Sequence, residues 1–345
     1  MAGKVKTAVK TELSFLAADR LVAWLEALAS GETQLLVPSK PDGTFVTWQG
    51  GEPDLRGITA TSSKSLVLPQ HETFLSYKYQ DGGSVEVTPV VDETERVVFG
   101  ARLCDMHGLR CIEQTFGETG PSGGDANYIA RRERTTFVSV ACTAADVDGA
   151  CFCATFFTPD SFGAADAVVH PVEGGYVLRP LTEKGARVVE LAAGAGASTA
   201  SVPEAPAPAQ GSPIEIKGIE EKLLTVFNDD ELWNDVTEGC LSCGACSFVC
   251  PTCYCFSITD EARGSDCGDR LRCWDSCGFA CYTKEASGHN PRSRNAKRFR
   301  NRVNHKFTYY PELYNLESCV GCGRCVRACP AAVDIRDMVE AVMTR

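Results

Sequence analysis

The residues best suited to chemistry are two cysteine runs near the C-terminal end of the chain. Both follow the spacing C-x2-C-x2-C-x3-C-P, in which thiolates at fixed intervals bind the irons of 4Fe-4S clusters. The runs contain Cys240, Cys243, Cys246 and Cys250, and then Cys319, Cys322, Cys325 and Cys329. Because the whole spacing occurs twice, the sequence predicts two such clusters.

The fourth cysteine of each run is expected to ligate the cluster of the other run. Two residues between thiolates let three sulfurs reach three corners of one cube, and the next three residues carry the chain away from it. The predicted ligand sets are Cys240, Cys243, Cys246 and Cys329 for one cluster, and Cys319, Cys322, Cys325 and Cys250 for the other. The alternative is a pair of zinc knuckles, but four-ligand zinc sites give no role to the third cysteine or the proline.

A third 4Fe-4S cluster is predicted in the first half of the chain. Cysteines follow two expected buried strands, at residues 96–100 and 135–140, and a glycine-containing loop adds two more. Since ligands of open α/β sheets collect beyond the carboxyl ends of the strands, these thiols should meet at one edge. The assigned ligands are Cys104, Cys142, Cys151 and Cys153, with Cys111 and His107 in reserve on the helix that follows Cys104. The alternatives are ordinary buried thiols and a zinc site.

The segment between the two runs, residues 251–318, contains six further cysteines. A fourth metal site, holding a cluster or zinc, would use Cys253, Cys255 and Cys277 with Cys273 as its last ligand. Cys281 is the other candidate for that last position. The competing interpretation is that these thiols only pack in the interior.

The elements that must position these cysteines indicate an α+β fold. Residues 1–191 predict an N-terminal mixed α/β domain, with short strands between turns and an opening helix whose apolar face runs from Phe15 and Leu16 to Leu28. Residues 192–213 are rich in Ala, Pro, Gly and Ser, and we expect a flexible linker. Residues 214–345 predict a mainly helical two-cluster ferredoxin-like domain.

Composition and charge limit the function further. The chain has 345 residues and 19 cysteines in metal-binding rather than disulfide spacings, which suits a reducing compartment. The net charge of -11 argues against a general nucleic-acid binder. No signal peptide and no stretch of about 18 apolar residues is present, so we expect a cytoplasmic protein without a membrane span. No nucleotide-binding motif occurs either.

A basic run precedes the second cysteine run. It contains Arg292, Arg294, Lys297, Arg298, Arg300, Arg302, His305 and Lys306. Such a run is usually a solvated helix face. Here it could also offset the negative charge of thiolate-bound clusters or dock an acidic partner.

Motifs distributed over most of the chain carry a family resemblance. They are residues 100–105 (GARLCD), 125–128 (DANY), 131–133 (RRE), 151–153 (CFC), 250–256 (CPTCYCF), 274–277 (WDSC), 287–292 (SGHNPR), 305–306 (HK) and the second cysteine run. The chain resembles the iron-sulfur beta subunits of cytoplasmic sulfhydrogenases. It is also similar to the A subunit of anaerobic sulfite reductase and to the flavin-oxidoreductase partner subunits of heterodisulfide reductase.

The resemblance implies an electron-transfer subunit of an anaerobic oxidoreductase complex. Its partners would be a flavin- and NAD(P)H-binding subunit and a terminal catalytic subunit of the hydrogenase, heterodisulfide reductase or sulfite reductase type. The residues favour the same class, because a chain with several clusters and no catalytic constellation conducts electrons without changing a substrate. Two alternatives differ in class: a subunit whose own cluster site binds a flavin or reduces a sulfur compound, and a zinc-bound structural subunit.

Overall fold

A seven-stranded mixed sheet forms the framework of the first half of the chain. The protein is described by a computed structural model that covers residues 12–39, 43–121 and 123–345. Its helices and sheets confirm the predicted α+β class. The strands, in spatial order, are β1 (Ser14–Ala17), β9 (Gly175–Pro180), β8 (Ala167–Val172), β7 (Thr135–Val140), β6 (Arg96–Ala101), β2 (Gln34–Pro38) and β3 (Phe45–Thr47).

The central strands β2, β6, β7 and β8 are parallel and covered by helices on both faces. Along β6, Val97 and Phe99 pack with Trp24 in one core, while Val98 on the opposite face packs with Leu109 in another. This division reflects the alternation of side chains along a strand and explains why these strands are apolar throughout. The helices are α1 (Leu21–Leu28) and α4 (Glu183–Gly194) in the first core, and α2 (Leu103–Phe116) and α3 (Ala126–Arg134) in the second.

The prediction for the first apolar segment is wrong in part. Phe15 and Leu16 belong to strand β1, which pairs with β9, and the helix begins only at Leu21. The apolar spacing does fit a helix, but pairing with β9 gives the backbone of β1 its hydrogen-bond partners. Tertiary context thus outweighs local periodicity at this edge of the sheet.

A second, four-stranded antiparallel sheet contains strands from both halves of the chain. Its order is β10 (Phe256–Ala262), β11 (Cys267–Trp274), β4 (His71–Tyr79) and β5 (Val85–Pro89). Buried Glu72 on β4 forms ion pairs with Arg272 on β11 and Arg131 on α3. The hairpin β10–β11 therefore extends the predicted helical C-terminal part with strands. The domain division at residues 192–213 stays a prediction.

Short helices and loops carry the two cysteine runs. The helices are α5 (Ile219–Thr225), α6 (Asp230–Asp235), α7 (Ala245–Phe248), α8 (Asn295–Asn304), α9 (Tyr310–Tyr314), α10 (Arg324–Arg327) and α11 (Ile335–Thr344), with one π-helical turn at His305–Tyr309 between α8 and α9. Trp233, Phe307 and Met338 are among the residues of their common core. Within the described residues, no helix has the length and apolar character needed to span a membrane.

Candidate iron-sulfur sites

The predicted second cluster site is a cavity enclosed by cysteines from both runs. Cys250 of the first run and Cys319, Cys322 and Cys325 of the second line it together. Burial raises the pKa of the Cys319 thiol to about 11 and also raises that of Cys325. Neutral buried thiols of this kind become stable thiolates once iron is bound, because metal ligation requires deprotonation. The cavity has the composition predicted from crossed ligation.

The predicted first cluster site lies nearer the surface. α7, which contains Cys246, packs against α10 of the second run, and Gly239 lies beside the loop that follows Cys329. Backbone amides already point at two of these sulfurs: Ser242 donates to Cys240 Sγ at 3.4 Å, and Val333 donates to Cys329 Sγ at 3.2 Å. Cys243 is exposed. Amide donors to sulfur are one means by which proteins raise cluster potentials.

The predicted N-terminal site is a further cavity lined by cysteines. Cys104 lies in the first turn of α2, which follows β6, and Cys142 lies just past β7, so the parallel pairing of the two strands carries both to one edge. The cavity is lined by Cys104, Cys142, Cys151 and Cys153. Burial raises the pKa of Cys142 to about 11. The four assigned ligands thus meet at one place.

The two reserve ligands lie elsewhere. His107 stacks on Phe157 with ring centroids 3.9 Å apart, and its Nε2 lies 3.1 Å from the carbonyl oxygen of Ser161. The Cys111 thiol donates to the carbonyl oxygen of Glu317 at 3.6 Å. Neither residue lines the N-terminal cavity, and both border a different cavity beside Cys319.

The segment predicted as a linker covers the N-terminal site. Pro208, Ala209 and Gln210 line the cavity. The Ala209 amide donates to the carbonyl oxygen of Cys142 at 2.8 Å, and the Gly211 amide donates to Cys153 Sγ at 3.3 Å. The composition of this segment shows that it has few large apolar side chains. It does not show that its backbone amides donate hydrogen bonds to the cysteines.

The N-terminal site and the second cluster site adjoin each other at Cys322. Its side chain lines both cavities and packs with Cys104 and Val320. The Phe152 amide donates to the carbonyl oxygen of Gly321 at 2.8 Å. A Cβ atom at Gly321, where φ is +61°, would lie 2.5 Å from the backbone of Phe152. Glycine is therefore needed for the two cysteine loops to approach.

Two arginines lie against the cysteines of these sites, and Arg324 is buried whereas Arg327 is exposed. The guanidinium of Arg324 lies between Cys104 and Cys322 and forms a 2.9 Å ion pair with Asp105, with both side chains almost fully buried. Arg327 donates to Cys151 Sγ at 3.0 Å and pairs with Asp148, whose pKa this bond lowers to about 2. These charges offset the negative charge that thiolates bring into the interior.

The basic run is largely internal rather than a solvated face. Arg298, Arg302 and Lys306 are buried, whereas Arg294 remains exposed. Arg302 donates to Cys253 Sγ at 3.2 Å and to the carbonyl oxygen of Cys246 at 3.0 Å. Lys306 donates to Cys250 Sγ at 3.4 Å. This part of the run lies against the cysteines, as expected for charge compensation, while docking of a partner stays a prediction.

No motif or spacing in the sequence pointed to Lys64 as a residue of these sites. Its ammonium group crosses from the N-terminal half of the chain to donate to the carbonyl oxygens of Cys253 at 2.7 Å and Ser247 at 3.3 Å. Burial lowers the pKa of Lys64 to about 8, against the opposite effect of nearby thiolates. A lysine in a stretch without a motif reaches this position only through tertiary packing.

The cysteines of the predicted fourth site are only partly brought together. Cys253, Cys255 and Cys277 line one cavity of about 410 Å³. Cys273 does not line it, because it lies on β11 opposite Ser257 and His71. Cys281 is exposed and also lies outside the lining. Within the residues described, no three His, Cys, Asp or Glu side chains converge as ligands of a single metal ion.

Comparison with known proteins found one family and one relative that match the chain. Residues 239–333, which include both cysteine runs, match the family described as a 4Fe-4S dicluster domain. The chain is similar to sulfhydrogenase 2 subunit beta of Pyrococcus furiosus, with 30% identity over 266 residues, which are 74% of this chain and 77% of the relative. No solved structure matches the chain.

Proposed function

Because this chain belongs to the family of sulfhydrogenase beta subunits and contains a 4Fe-4S dicluster domain, we propose that it relays electrons within an oxidoreductase complex. One partner would be a flavin- and NAD(P)H-binding subunit. The other would be a terminal catalytic subunit of the hydrogenase, heterodisulfide reductase or sulfite reductase type. The ligands proposed for three clusters are the two crossed sets and the set Cys104, Cys142, Cys151 and Cys153.

The continuity of the cysteine-lined sites is the observation that carries this proposal. Cys322 lines both the second site and the N-terminal site. Arg302 lies beside Cys246, Cys250 and Cys325, which are assigned to the first and second sites. Thiolates of neighbouring sites are therefore separated by single side chains. A 4Fe-4S cluster, when bound, supplies one-electron redox chemistry over potentials of roughly -700 to +450 mV.

The chain's own residues limit the access of water to the clusters and offset their negative charge. Burial of Cys250 and Cys322 limits the access of water to the second site. Lys306 and Arg324 each offset negative charge at that site from a different side. At the other end of the series, exposed Cys243 places the first site where a partner can approach.

Metal analysis of anaerobically purified protein tests the proposal. We expect about twelve irons per chain, with matching acid-labile sulfide and no zinc, or about sixteen if a further cluster is bound. EPR of the dithionite-reduced protein should show interacting paramagnets, because the sites adjoin. About eight irons would contradict the N-terminal cluster, and zinc in place of iron would contradict the relay itself.

A cysteine substitution separates the N-terminal site from the other two. Cys153→Ala should lower the iron content by about four per chain, because it removes one ligand of a cubane. Cys267→Ala is the matched control, since Cys267 lies on β11 and lines none of the cysteine cavities described above. Equal iron in both variants and the unaltered protein would rule out Cys153 as a ligand.

A further inference from the structure

The largest of the cysteine-lined cavities has no part in the three-site relay. It measures about 410 Å³, within the range of roughly 300–1,000 Å³ typical of cofactor and small-molecule sites. Several lining residues, including Tyr309 and Arg292, are half-exposed, so the cavity is accessible from solvent. One wall is the π-helical turn that begins at His305, a local irregularity that often marks functional sites.

Three cysteines face this cavity in two hydrogen-bonded contacts. The Cys277 side chain forms a hydrogen bond with that of Cys255. Cys253 bonds in turn to Cys250, a proposed ligand of the second cluster. The cavity therefore adjoins the second cluster site.

Buried cations around these cysteines have no carboxylate partners. Lys64, Arg302 and Lys306 are each at most 4% exposed. In the described part of the chain, their hydrogen bonds go to sulfur, hydroxyl and carbonyl groups, and no carboxylate forms an ion pair with them. Arg324, by contrast, has Asp105. Burying three positive charges is costly unless anions lie close to them, and Cys253, which accepts from Arg302, would be such an anion once it is a thiolate.

We propose that this cavity binds a fourth 4Fe-4S cluster through Cys253, Cys255 and Cys277, and that its fourth iron takes a small anionic ligand from solution. The inference rests on the proposed relay, since electrons would reach this cluster through the adjoining second site. Three thiolates on a cubane give a net negative charge, which complements the positive charge of the surrounding cations.

A single zinc ion fits the cavity less well. Zinc requires its sulfur ligands at about 2.3 Å from one point. The described cysteine, histidine and acidic side chains form no such convergent group of three. A cubane instead accepts ligands at separate corners, which suits thiols spread over the wall of a cavity of about 410 Å³.

The open position on the fourth iron follows from the lining. No fourth cysteine lines the cavity in the described structure. Arg292, Arg302 and Lys306 line the remaining space, and all carry positive charge. An anion entering from solvent would therefore meet both a coordination position and a cationic environment.

Iron content and EPR of single variants test the ligand set. Cys277→Ala should lose about four irons per chain and the contribution of one cluster to the EPR spectrum. Cys273→Ala and Cys281→Ala should keep the full iron content. If Cys277→Ala keeps all its iron, the fourth cluster does not exist; if either of the other two variants loses four irons, the three-cysteine assignment is wrong.

The unaltered protein provides a second test that needs no variant to fold. Brief treatment with ferricyanide should remove one electron from the open-site cluster and release one Fe²⁺, leaving a 3Fe-4S cluster with its own EPR signal. Cyanide, used as a strong anionic probe, should shift only the signal that Cys277→Ala removes. Failure to lose iron, together with an EPR spectrum unchanged by cyanide, would overturn the open position.

His305 is the protein group that could occupy the fourth iron instead. Burial lowers the pKa of His305 to about 4, so its imidazole is neutral near pH 7 and able to bind metal. His305→Ala should leave the cyanide-sensitive signal in place if solvent supplies the ligand, and its loss would assign the position to His305. If the relay clusters themselves were absent, the unaltered protein would lack more iron than the roughly four atoms that Cys277→Ala removes. That result would contradict the proposed relay and not only the fourth cluster.

Discussion

Individual buried cations set the charge around each group of cysteines. Burial alone lowers the pKa of Lys306, but the thiolates of Cys250 and Cys253 outweigh it and raise that pKa above its ordinary value. Arg324 behaves similarly between Asp105 and the two thiolates that it faces. Such residues remain charged at any physiological pH. They stabilise thiolates in the interior and favour the reduced, more negative state of a nearby cluster.

Arg324→Met should lower the reduction potential of the two clusters that it separates, because reduction then adds negative charge without this compensation. It should also cost about 3–5 kcal/mol of stability, since Asp105 is left buried without its partner. Potentiometric titration followed by EPR measures the first effect, and thermal unfolding under anaerobic conditions measures the second.

Two further variants control this experiment. Arg324→Lys keeps the charge and should keep the potential while losing some stability. Arg270→Met removes an exposed arginine on β11 that pairs with Asp260, and should change neither quantity appreciably. Unaltered potentials in Arg324→Met would show that this cation has only a structural role.

Two loops bring the N-terminal site and the second site into contact. The Cys151–Cys153 loop lies directly on the loop of the second cysteine run, through the backbone contact between Phe152 and Gly321. The rigid parallel sheet fixes one side of this contact, because it delivers Cys104 and Cys142 from the ends of β6 and β7. A small change in loop spacing should therefore disturb both sites.

Gly321→Ala should destabilise both the second and the N-terminal site. Left-handed backbone costs an alanine about 1–2 kcal/mol, and the added Cβ must also displace the backbone of Phe152. Gly288→Ala is the matched control, because Gly288 has φ of +86° and nothing within 4 Å of the added atom. Iron content and melting temperature should fall further in Gly321→Ala; equal losses would mean that loop contact is unimportant.

The sequence predicted strands β6 and β7 better than the elements whose pairing partners lie far away in the chain. Strands β6 and β7 are apolar because helices cover both faces, so their residues alone indicate buried strands, and the cysteines beyond them could be assigned to one site. β1 and the hairpin β10–β11 were missed, because their pairing partners lie far away in the chain. For the same reason, the sequence does not predict the contacts of Lys64 or of the backbone donors of residues 209–211. Spacing identifies thiols within one loop, whereas the cations and amides that donate hydrogen bonds around them are positioned by tertiary contacts.

At the scale of the whole molecule, the sites run from an exposed end to a buried interior. Cys243 is exposed, and so is the side chain of nearby Leu241, at 70%. Arg294 is also exposed. It lies next to Asn295, which donates to the carbonyl oxygen of Cys240. The second site is enclosed by both halves of the chain. We therefore expect the first site to be the point at which electrons are exchanged with a partner.

Leu241→Asp should slow electron exchange with the partner subunit without altering iron content. The change would place a charge where we propose that the partner packs against Leu241, next to the exposed cysteine. Leu313→Asp on α9 is the matched control, because Leu313 is 73% exposed but lies outside the cluster loops. The rate of oxidation of the reduced complex, followed by stopped-flow absorbance, should fall several-fold only in Leu241→Asp. Equal rates would place the point of exchange elsewhere on the molecule.

The four-stranded sheet has a consequence for how the protein is made. Glu72 on β4 and its partner Arg272 on β11 are separated by 200 residues. At a synthesis rate of 5–20 residues per second, β4 leaves the ribosome roughly 10–40 s before β11 exists. Its free edge is open to mispairing during that interval. The supply of chaperones and the growth temperature should therefore affect the yield of this subunit more than the stability of the folded protein would suggest.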